Sequence, residues 1–207
     1  MIGEYLNGEK NGKFKEYNEY GIIIYEGEYL NGEKNGKYKE YYKNGILKFE
    51  GEYINVNGEK INAKYNVYNE YGILIFEGEY SKEHKNGKCK EYYNNGILKT
   101  EAVYLNGEKN GKYKEYNEYG NLIFDGEFIN GEKNGKEYDY YGYLIFEGKY
   151  LNGQRWNGKK KEYNKGFLEF ELTLLNGKIK NRKKIWIFQE ILFNKNIKFI
   201  FKIKYKC

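Results

Sequence analysis

Few side chains in this sequence could catalyse a reaction. The 207 residues include one serine, Ser81, one histidine, His84, and two aspartates, Asp125 and Asp139. A hydrolytic triad needs a nucleophile, a base and an orienting acid. Ser81 and His84 fall in the same predicted turn, and His84 replaces a glutamate found in the sister repeats described below. We therefore expect an exposed histidine with no catalytic role.

Other patterns that could do chemistry fail on their spacing. "GEKNGKY" at 32–38 is one residue short of the phosphate-binding GxxxxGK loop and lacks the Ser or Thr that would hold magnesium. Glu50 and Glu52 could act as acid and base on a sugar, but they share one outer strand face with no cleft to raise one pKa. Cys89 and Cys207 indicate neither a disulfide framework nor a zinc site. The sequence thus predicts no enzyme, no cofactor and no metal.

These residues belong to a sequence that repeats itself about every 24 residues. Fixed periods of this length are typical of repeat folds, in which each unit depends on its neighbours for a core. Three extra residues within 54–64 and two missing residues within 136–142 are expected in or beside turns, where strand arrays tolerate changes of length. The repeat starts are Gly3, Gly27, Gly51, Gly78, Ala102, Gly126, Gly148 and Leu172.

Each repeat begins with a strand that has one apolar and one charged face. In "ILKFEGEYI", residues 46–54, apolar residues and a glycine alternate with charged residues. Glycine in mid-strand costs stability, so we expect it to make room for an aromatic ring of the adjacent strand. The glutamates should pair with lysines of the second strand across the outer face. The structural repeat glycines predicted in this way are Gly27, Gly51, Gly78, Gly126 and Gly148.

The second strand, "GKYKEYY", has a less regular pattern. Tyr38 and Tyr41 differ in parity, so either a bulge lies between them or one ring covers the outer surface. "NGEKNG" between the strands offers two Asn-Gly steps, a strong turn signal. With 26 Gly, 26 Tyr, 12 Phe and no Pro, the sequence predicts an all-β fold. We expect an elongated antiparallel β-hairpin repeat array over residues 1–177, with about seven repeats.

"GEYLNGEKNGKYKEYYKNG" at 27–45 resembles the MORN repeat, in the variant found in bacterial proteins of the YwqK-type antitoxin family. The residues that carry the resemblance are the "GEY" strand, the "NGxxNGK" turn, the "KEY" strand and the following "NG". Departures are Glu83 at a turn glycine, Ala63 and Ala102 at glycine positions, and Leu172 at the end of the array. The resemblance implies a scaffold that joins proteins or places them at membranes, with phospholipid binding and dimers among the expectations.

Residues 178–207 form a basic, aromatic C-terminal segment. It holds ten Lys or Arg and one Glu, a net charge of +9 in a chain of +6, so residues 1–177 carry −3. The basic pI therefore gives no reason to expect nucleic-acid binding by the repeats. Two interpretations stay open. The segment can form capping strands, or it can lie on a membrane, with Lys198, Lys202 and Lys204 on anionic lipid and Trp186 in the interface.

The sequence predicts a non-enzymatic scaffold that mediates protein–protein interaction or self-association, with an unidentified protein or a second copy in a homodimer as partner. The alternatives are a membrane-surface adaptor that binds anionic phospholipid and an antitoxin-like inhibitor of a toxin. Met1 falls inside a repeat's first strand, and charges interrupt every apolar run. We therefore expect a cytoplasmic protein, peripheral to a membrane in the adaptor alternative.

Overall fold

A computed structural model describes residues 2–56, 59–61, 63–81 and 84–185. Within these residues the chain forms seventeen β-strands and no helix. Within each unit neighbouring strands pair antiparallel, with β7 rather than the short β6 continuing the ladder from β5, so the predicted all-β array of antiparallel hairpin repeats is confirmed. The fold divides into two compact units, Met1–Leu122 and Ile123–Cys207. Trp186, Lys198, Lys202 and Lys204, for which lipid contact is predicted, lie outside the described residues.

The first unit contains the strands up to β11. β5 is the longest of them, two residues longer than β3, and its far end pairs with the short strand β6. The prediction that the insertion within 54–64 lies beside a turn is confirmed. The strands are β1 (Ile2–Leu6), β2 (Glu9–Tyr17), β3 (Ile23–Leu30), β4 (Glu33–Tyr41), β5 (Leu47–Val56), β6 (Glu59–Ile61), β7 (Ala63–Tyr68), β8 (Leu74–Ser81), β9 (His84–Tyr92), β10 (Leu98–Leu105) and β11 (Glu108–Tyr116).

The second unit repeats the same hairpins. Its last strand, β17, is formed by the first residues of the basic C-terminal segment and pairs with β16. The strands are β12 (Leu122–Ile129), β13 (Glu132–Tyr138), β14 (Leu144–Leu151), β15 (Gln154–Asn164), β16 (Phe167–Leu175) and β17 (Lys178–Lys184).

The first Asn-Gly step of most repeats forms a tight hairpin turn. Asn31 and Gly32, between β3 and β4, have φ of 48° and 79°. Positive φ at both central residues is what a type I′ turn requires, and Asn and Gly adopt it most readily. The turn signal in the sequence is therefore confirmed for this step. The equivalent asparagines with positive φ are Asn7, Asn106, Asn130, Asn152 and Asn176.

The second Asn-Gly step lies inside a strand and forms a bulge. Gly27 of β3 pairs with Tyr38, whereas the next residue, Glu28, pairs with Asn35. Two residues of β4 are therefore left without a partner in β3, and one of them, Gly36, has φ of 71°. Comparable shifts occur in β2, β9 and β11. The interpretation of this step as a turn is wrong, because a glycine with positive φ suits a bulge equally well.

The two-residue deletion within 136–142 removes such a bulge. β13 has seven residues where β11 has nine, and it pairs with β12 without any shift of register. The expectation that the deletion lies in or beside a turn is wrong, because the residues are lost from within a strand. A bulge can be lost as one piece because its two residues have no ladder partner on one side. The shorter strand also loses its core tyrosine, so the second unit builds its core differently.

The core of the first unit is a row in which glycines alternate with rings. Gly27 of β3 pairs with Tyr38 of β4, and Tyr38 pairs with Gly51 of β5. Tyr38 is 3% exposed and stacks on Tyr53 with ring centroids 4.0 Å apart. A Cβ added at Gly51 would lie 2.7 Å from Cδ1 of Tyr65. These glycines therefore leave room for the rings of neighbouring strands.

On β12 to β15 of the second unit the row consists of glycines, and the rings come from the first strands of the hairpins. Phe124 and Phe146 lie across the row, and Phe146 is fully buried. A Cβ added at Gly126 would meet the carbonyl oxygen of Asn134, a backbone atom. Here glycine is required by the close approach of two strands. The paired glycines on consecutive strands are Gly126, Gly135, Gly148 and Gly158.

Candidate functional site

The outer face of the first unit carries stripes of charge that follow the strands. Residues two apart on one strand point to the same face. Each stripe therefore has one sign, and neighbouring stripes differ in sign because the strands pair lysine with glutamate. We call this surface the striped face. Its first four stripes are Lys13 and Lys15 on β2, Glu26 and Glu28 on β3, Lys37 and Lys39 on β4, and Glu50 and Glu52 on β5.

Ion pairs across the stripes confirm the predicted ladder of glutamates and lysines. The Lys15 ammonium lies 3.3 Å from Glu26, and that of Lys90 lies 2.8 Å from Glu77. In the second unit Lys159 and Glu171 are 3.6 Å apart. Pairs this exposed contribute at most about 1 kcal/mol each. The stripes therefore shape the surface more than they stabilise the fold.

Tyrosines on the striped face hold some of its carboxylates. The Tyr41 hydroxyl donates to Glu26 at 2.8 Å, and that of Tyr68 donates to Glu50 at 2.7 Å. The Tyr41 bond holds the pKa of Glu26 below its usual value, and bonds from the Asn66 amide and Tyr68 do the same for Glu50. Burial and the glutamate partner raise the pKa of Tyr41 and Tyr68 to about 12. Carboxylates bound in this way stay ionised and fixed in position.

This contact decides between the two interpretations of the second strand. Tyr38 faces the core while Tyr41 covers the outer surface, so the outer-ring alternative is confirmed. A one-residue bulge is present as well, but in the partner strand: Phe49 pairs with Glu40, whereas Leu47 pairs with Tyr41.

A groove of about 530 Å³ runs over the striped face of the first unit. Four lysines of its lining, Lys13, Lys37, Lys39 and Lys64, have no carboxylate within ion-pair distance in the described part of the chain. We call this groove the striped groove. Its lining residues are Lys13, Phe14, Lys15, Glu26, Gly27, Glu28, Lys37, Tyr38, Lys39, Glu50, Gly51, Glu52, Lys64 and Asn66.

The striped groove is lined by charged side chains, and these include Glu50 and Glu52, for which the sequence predicted no cleft. Its lining contains both signs of charge and one amide, but no serine, cysteine or histidine. Across residues 2–185, as far as they are described, no three His, Cys, Asp or Glu side chains form a group that could hold a metal ion. A partner that enters the groove therefore meets fixed carboxylates beside lysines that have no ion pair.

The residues whose side chains could catalyse a reaction lie in hairpins and turns that they help to form. Ser81 and His84 face each other as a pair at the start of the β8–β9 hairpin, as their shared turn predicts. The Asp139 carboxylate accepts hydrogen bonds from the backbone N–H groups of Tyr141 and Tyr143 and so closes a turn of the second unit. Asp125 pairs with Lys136 across β12 and β13.

Some of the predicted site residues come together here and others do not. Gly27 and Gly51 line the striped groove. Gly78 lies further along the first unit, where an added Cβ would contact Cys89 and Phe76, and Gly126 and Gly148 belong to the glycine row of the second unit. Sequence reasoning missed the groove itself, although the alternation of "KYK" and "EGE" strands was the signal for it.

Strand β17 forms a second charged surface. Five of its seven residues are Lys or Arg, and six of the seven are exposed. Arg182 lies over the Phe170 ring at 3.9 Å from the centroid, which holds one of the cations against β16. Ile179 is also exposed. The basic character of the C-terminal segment thus begins within the described strands.

No family model matches this chain, and no curated protein sequence matches it. Among the described residues there is no helix long and apolar enough to span a membrane.

Proposed function

We propose that the protein is a MORN-like repeat scaffold without enzymatic activity, whose first unit binds a protein partner in the striped groove. The observation that carries the proposal is the groove of about 530 Å³ with unpaired lysines between fixed carboxylates. The resemblance of the repeats to the MORN pattern supports the same conclusion from the sequence side. An antitoxin-like role is one form of this proposal, in which the bound protein is a toxin.

The mixture of charges favours a protein over a polymer of one sign. Nucleic acid or a phosphate-rich surface lying in the groove would place its anions against Glu28 and Glu52 as well as the lysines. Like charges in such a contact cost free energy, whereas alternating charges select a partner with the complementary arrangement. Polypeptides carry both signs on one surface and so match the stripes.

The test is capture of partners from native lysate by the whole chain and by two matched variants. Lys37→Gln removes an ammonium from the groove, and Lys88→Gln removes the lysine at the same repeat position on β9, outside the groove. We expect Lys37→Gln to lose the captured protein and Lys88→Gln to keep it. Equal capture by both variants, or none by the unaltered protein, would contradict the proposal.

A second candidate function is binding to an anionic membrane surface. The observation that favours it is β17, with five basic residues and the exposed apolar side chain of Ile179. Basic residues near such a surface contribute about 1 kcal/mol each, and salt screens them. Sedimentation with phosphatidylserine vesicles tests it. Binding that is unchanged in a Lys178→Gln, Lys180→Gln variant would argue against β17.

A further inference from the structure

The turns at one edge of the first unit are linked to each other by side chains. The Asn18 amide donates to the carbonyl oxygen of Lys43 in the next turn at 3.1 Å. The Tyr42 hydroxyl of that turn donates to the carbonyl oxygen of Tyr68 at 2.9 Å. Asn69 continues the series to Asn94. Turns joined in this way form a pre-organised edge, which we call the turn edge.

Every second turn of this edge exposes a tyrosine preceded by a glutamate. The tetrapeptide Asn-Glu-Tyr-Gly occurs at 18–21, 69–72 and 117–120. Tyr20 and Tyr71 are 79% and 77% exposed. Both are held at the backbone, since the Asn18 and Asn69 side chains each accept a hydrogen bond from the tyrosine N–H at 3.0 Å. The backbone of each tyrosine is therefore fixed by its turn, and the exposed ring is accessible to a partner.

The turns between them show that the fold does not need these rings. At the position equivalent to Tyr20, the turn of residues 42–46 carries Asn44, and the position of Glu19 is taken by Lys43. Both turns close with the same two backbone hydrogen bonds, at 2.9 and 3.0 Å in one and 2.8 Å for each in the other. The chain thus contains its own control, in which asparagine forms the turn equally well.

We propose that the turn edge is a second docking surface, for an extended basic polypeptide whose Arg or Lys side chains seat on Tyr20 and Tyr71. A cation over a ring is attracted to it, and the neighbouring carboxylate, Glu19 or Glu70, adds a charge of opposite sign. The protein already holds lysines in this way: the Lys34 ammonium lies 4.5 Å from the Tyr25 ring centroid and 3.4 Å from the Glu40 carboxylate.

The spacing of the anchors sets the spacing of basic residues in the partner. The turns that carry Tyr20 and Tyr71 are four strands apart, about 19 Å at the usual strand separation. An extended chain covers about 3.3 Å per residue, so six residues span this distance. The partner therefore carries basic residues six positions apart in an extended segment.

The experiment uses the full chain and a fluorescein-labelled peptide of glycine and serine with Arg at positions 1 and 7. A peptide of the same composition with Arg at positions 1 and 3 is the spacing control. Fluorescence anisotropy at low salt measures binding. We expect the first peptide to bind more tightly than the control, since only it reaches both anchors.

The matched variant is Tyr20→Asn with Tyr71→Asn, which copies the residue of the intervening turns. Each exposed anchor contributes about a two- to fivefold change in affinity, so we expect about four- to 25-fold weaker binding at an unchanged thermal midpoint. Glu19→Gln with Glu70→Gln, which leaves the rings in place, should also weaken binding and flatten its salt dependence.

The turn edge is a different surface from the striped groove. Lys37→Gln, which alters only the groove, should therefore leave binding of the first peptide unchanged. Equal affinity for the two peptides, no binding of either, or full binding by the Tyr20→Asn, Tyr71→Asn variant would overturn it. Equally tight binding of a peptide in which leucine replaces arginine would overturn the basic chemistry of the partner.

Discussion

Replacement of Gly51 by alanine tests how the first unit builds its core. The added Cβ would lie 2.7 Å from Cδ1 of Tyr65, 2.8 Å from the carbonyl oxygen of Lys64 and 3.2 Å from Cε1 of Tyr38. A ring can tilt, but the carbonyl oxygen belongs to the strand that pairs with β5 at this point. Relief of the contact therefore requires the ladder itself to move.

The expected cost follows from two opposed terms. Overpacking of this kind costs about 1–3 kcal/mol, and alanine recovers about 0.5–1 kcal/mol relative to a strand glycine. We expect a net loss of about 0.5–2 kcal/mol. With a denaturant slope of about 2 kcal/mol per molar urea, the urea midpoint followed by circular dichroism should fall by about 0.25–1 M.

Two other variants make this prediction sharp. Glu52→Ala changes the next residue, on the exposed face, and should shift the midpoint little. Gly78→Ala should cost less than Gly51→Ala, because its closest contact is the Cys89 sulfur, a small side chain that can shift. The chain itself carries Ala102 opposite Cys89. Equal midpoints for Gly51→Ala and Glu52→Ala would refute the packing role of the glycine.

Further predictions concern the outer face, the buried thiol and the turn edge. Hydrogen bonds from Asn66 and Tyr68 hold the pKa of Glu50 below its usual value, so the Tyr68 bond stabilises the fold above about pH 4.3, and this contribution is lost as pH falls through the lowered pKa. Tyr68→Phe should therefore lower the urea midpoint at pH 7, and its difference from the unaltered protein should shrink as the pH is lowered; a difference that does not change with pH would contradict the role of the carboxylate. Burial raises the pKa of the Cys89 thiol, so a Cys207→Ser variant should react with a disulfide reagent slowly when folded and rapidly in urea, and fast reaction without urea would contradict its burial. Asn69→Ala should cost about 1–2 kcal/mol in urea titration, because Asn69 makes three hydrogen bonds that close and link its turn; an unchanged midpoint would show that the turn edge does not depend on them.

The strands could be predicted because each local signal agrees with the others. The period-two pattern of residues 46–54 places Phe49 and Gly51 on the core face, and Asn31 and Gly32 adopt the φ values that their turn needs. Propensity, patterning and turn chemistry then specify the same hairpin. The pairing of lysine and glutamate across the outer face follows directly from antiparallel register.

The register in which the strands pair could not be predicted from local sequence patterns. The Asn35–Gly36 step has the sequence of a turn, and only the pairing of β4 with its neighbours shows that it is a bulge. The same holds for the loss of the bulge in β13, which places Gly135 between Gly126 and Gly148. A positive φ is compatible with both structures, so the choice depends on strands distant in sequence.

The sequence predicts which lysines and glutamates share the striped face, but not which of them line the groove. Its lysines and glutamates follow from strand parity, whereas the direction of Tyr41 did not, because a tyrosine suits either face. Strand register alone does not decide which lysines form an ion pair, because Lys13 lies opposite Glu28 just as Lys15 lies opposite Glu26. Lys15 finds Glu26, and Lys13, two residues before it, has no such partner among the described carboxylates.

Mapping where the captured partner lies on the protein shows whether the striped groove receives it. Amine-reactive cross-linking of the captured complex, followed by mass spectrometry, reports which lysines are near the bound protein. We predict cross-links concentrated at the lysines that line the groove, which are Lys13, Lys15, Lys37, Lys39 and Lys64. Cross-links confined to lysines outside the groove, with these five as reactive in the complex as in the free protein, would contradict the proposed binding site.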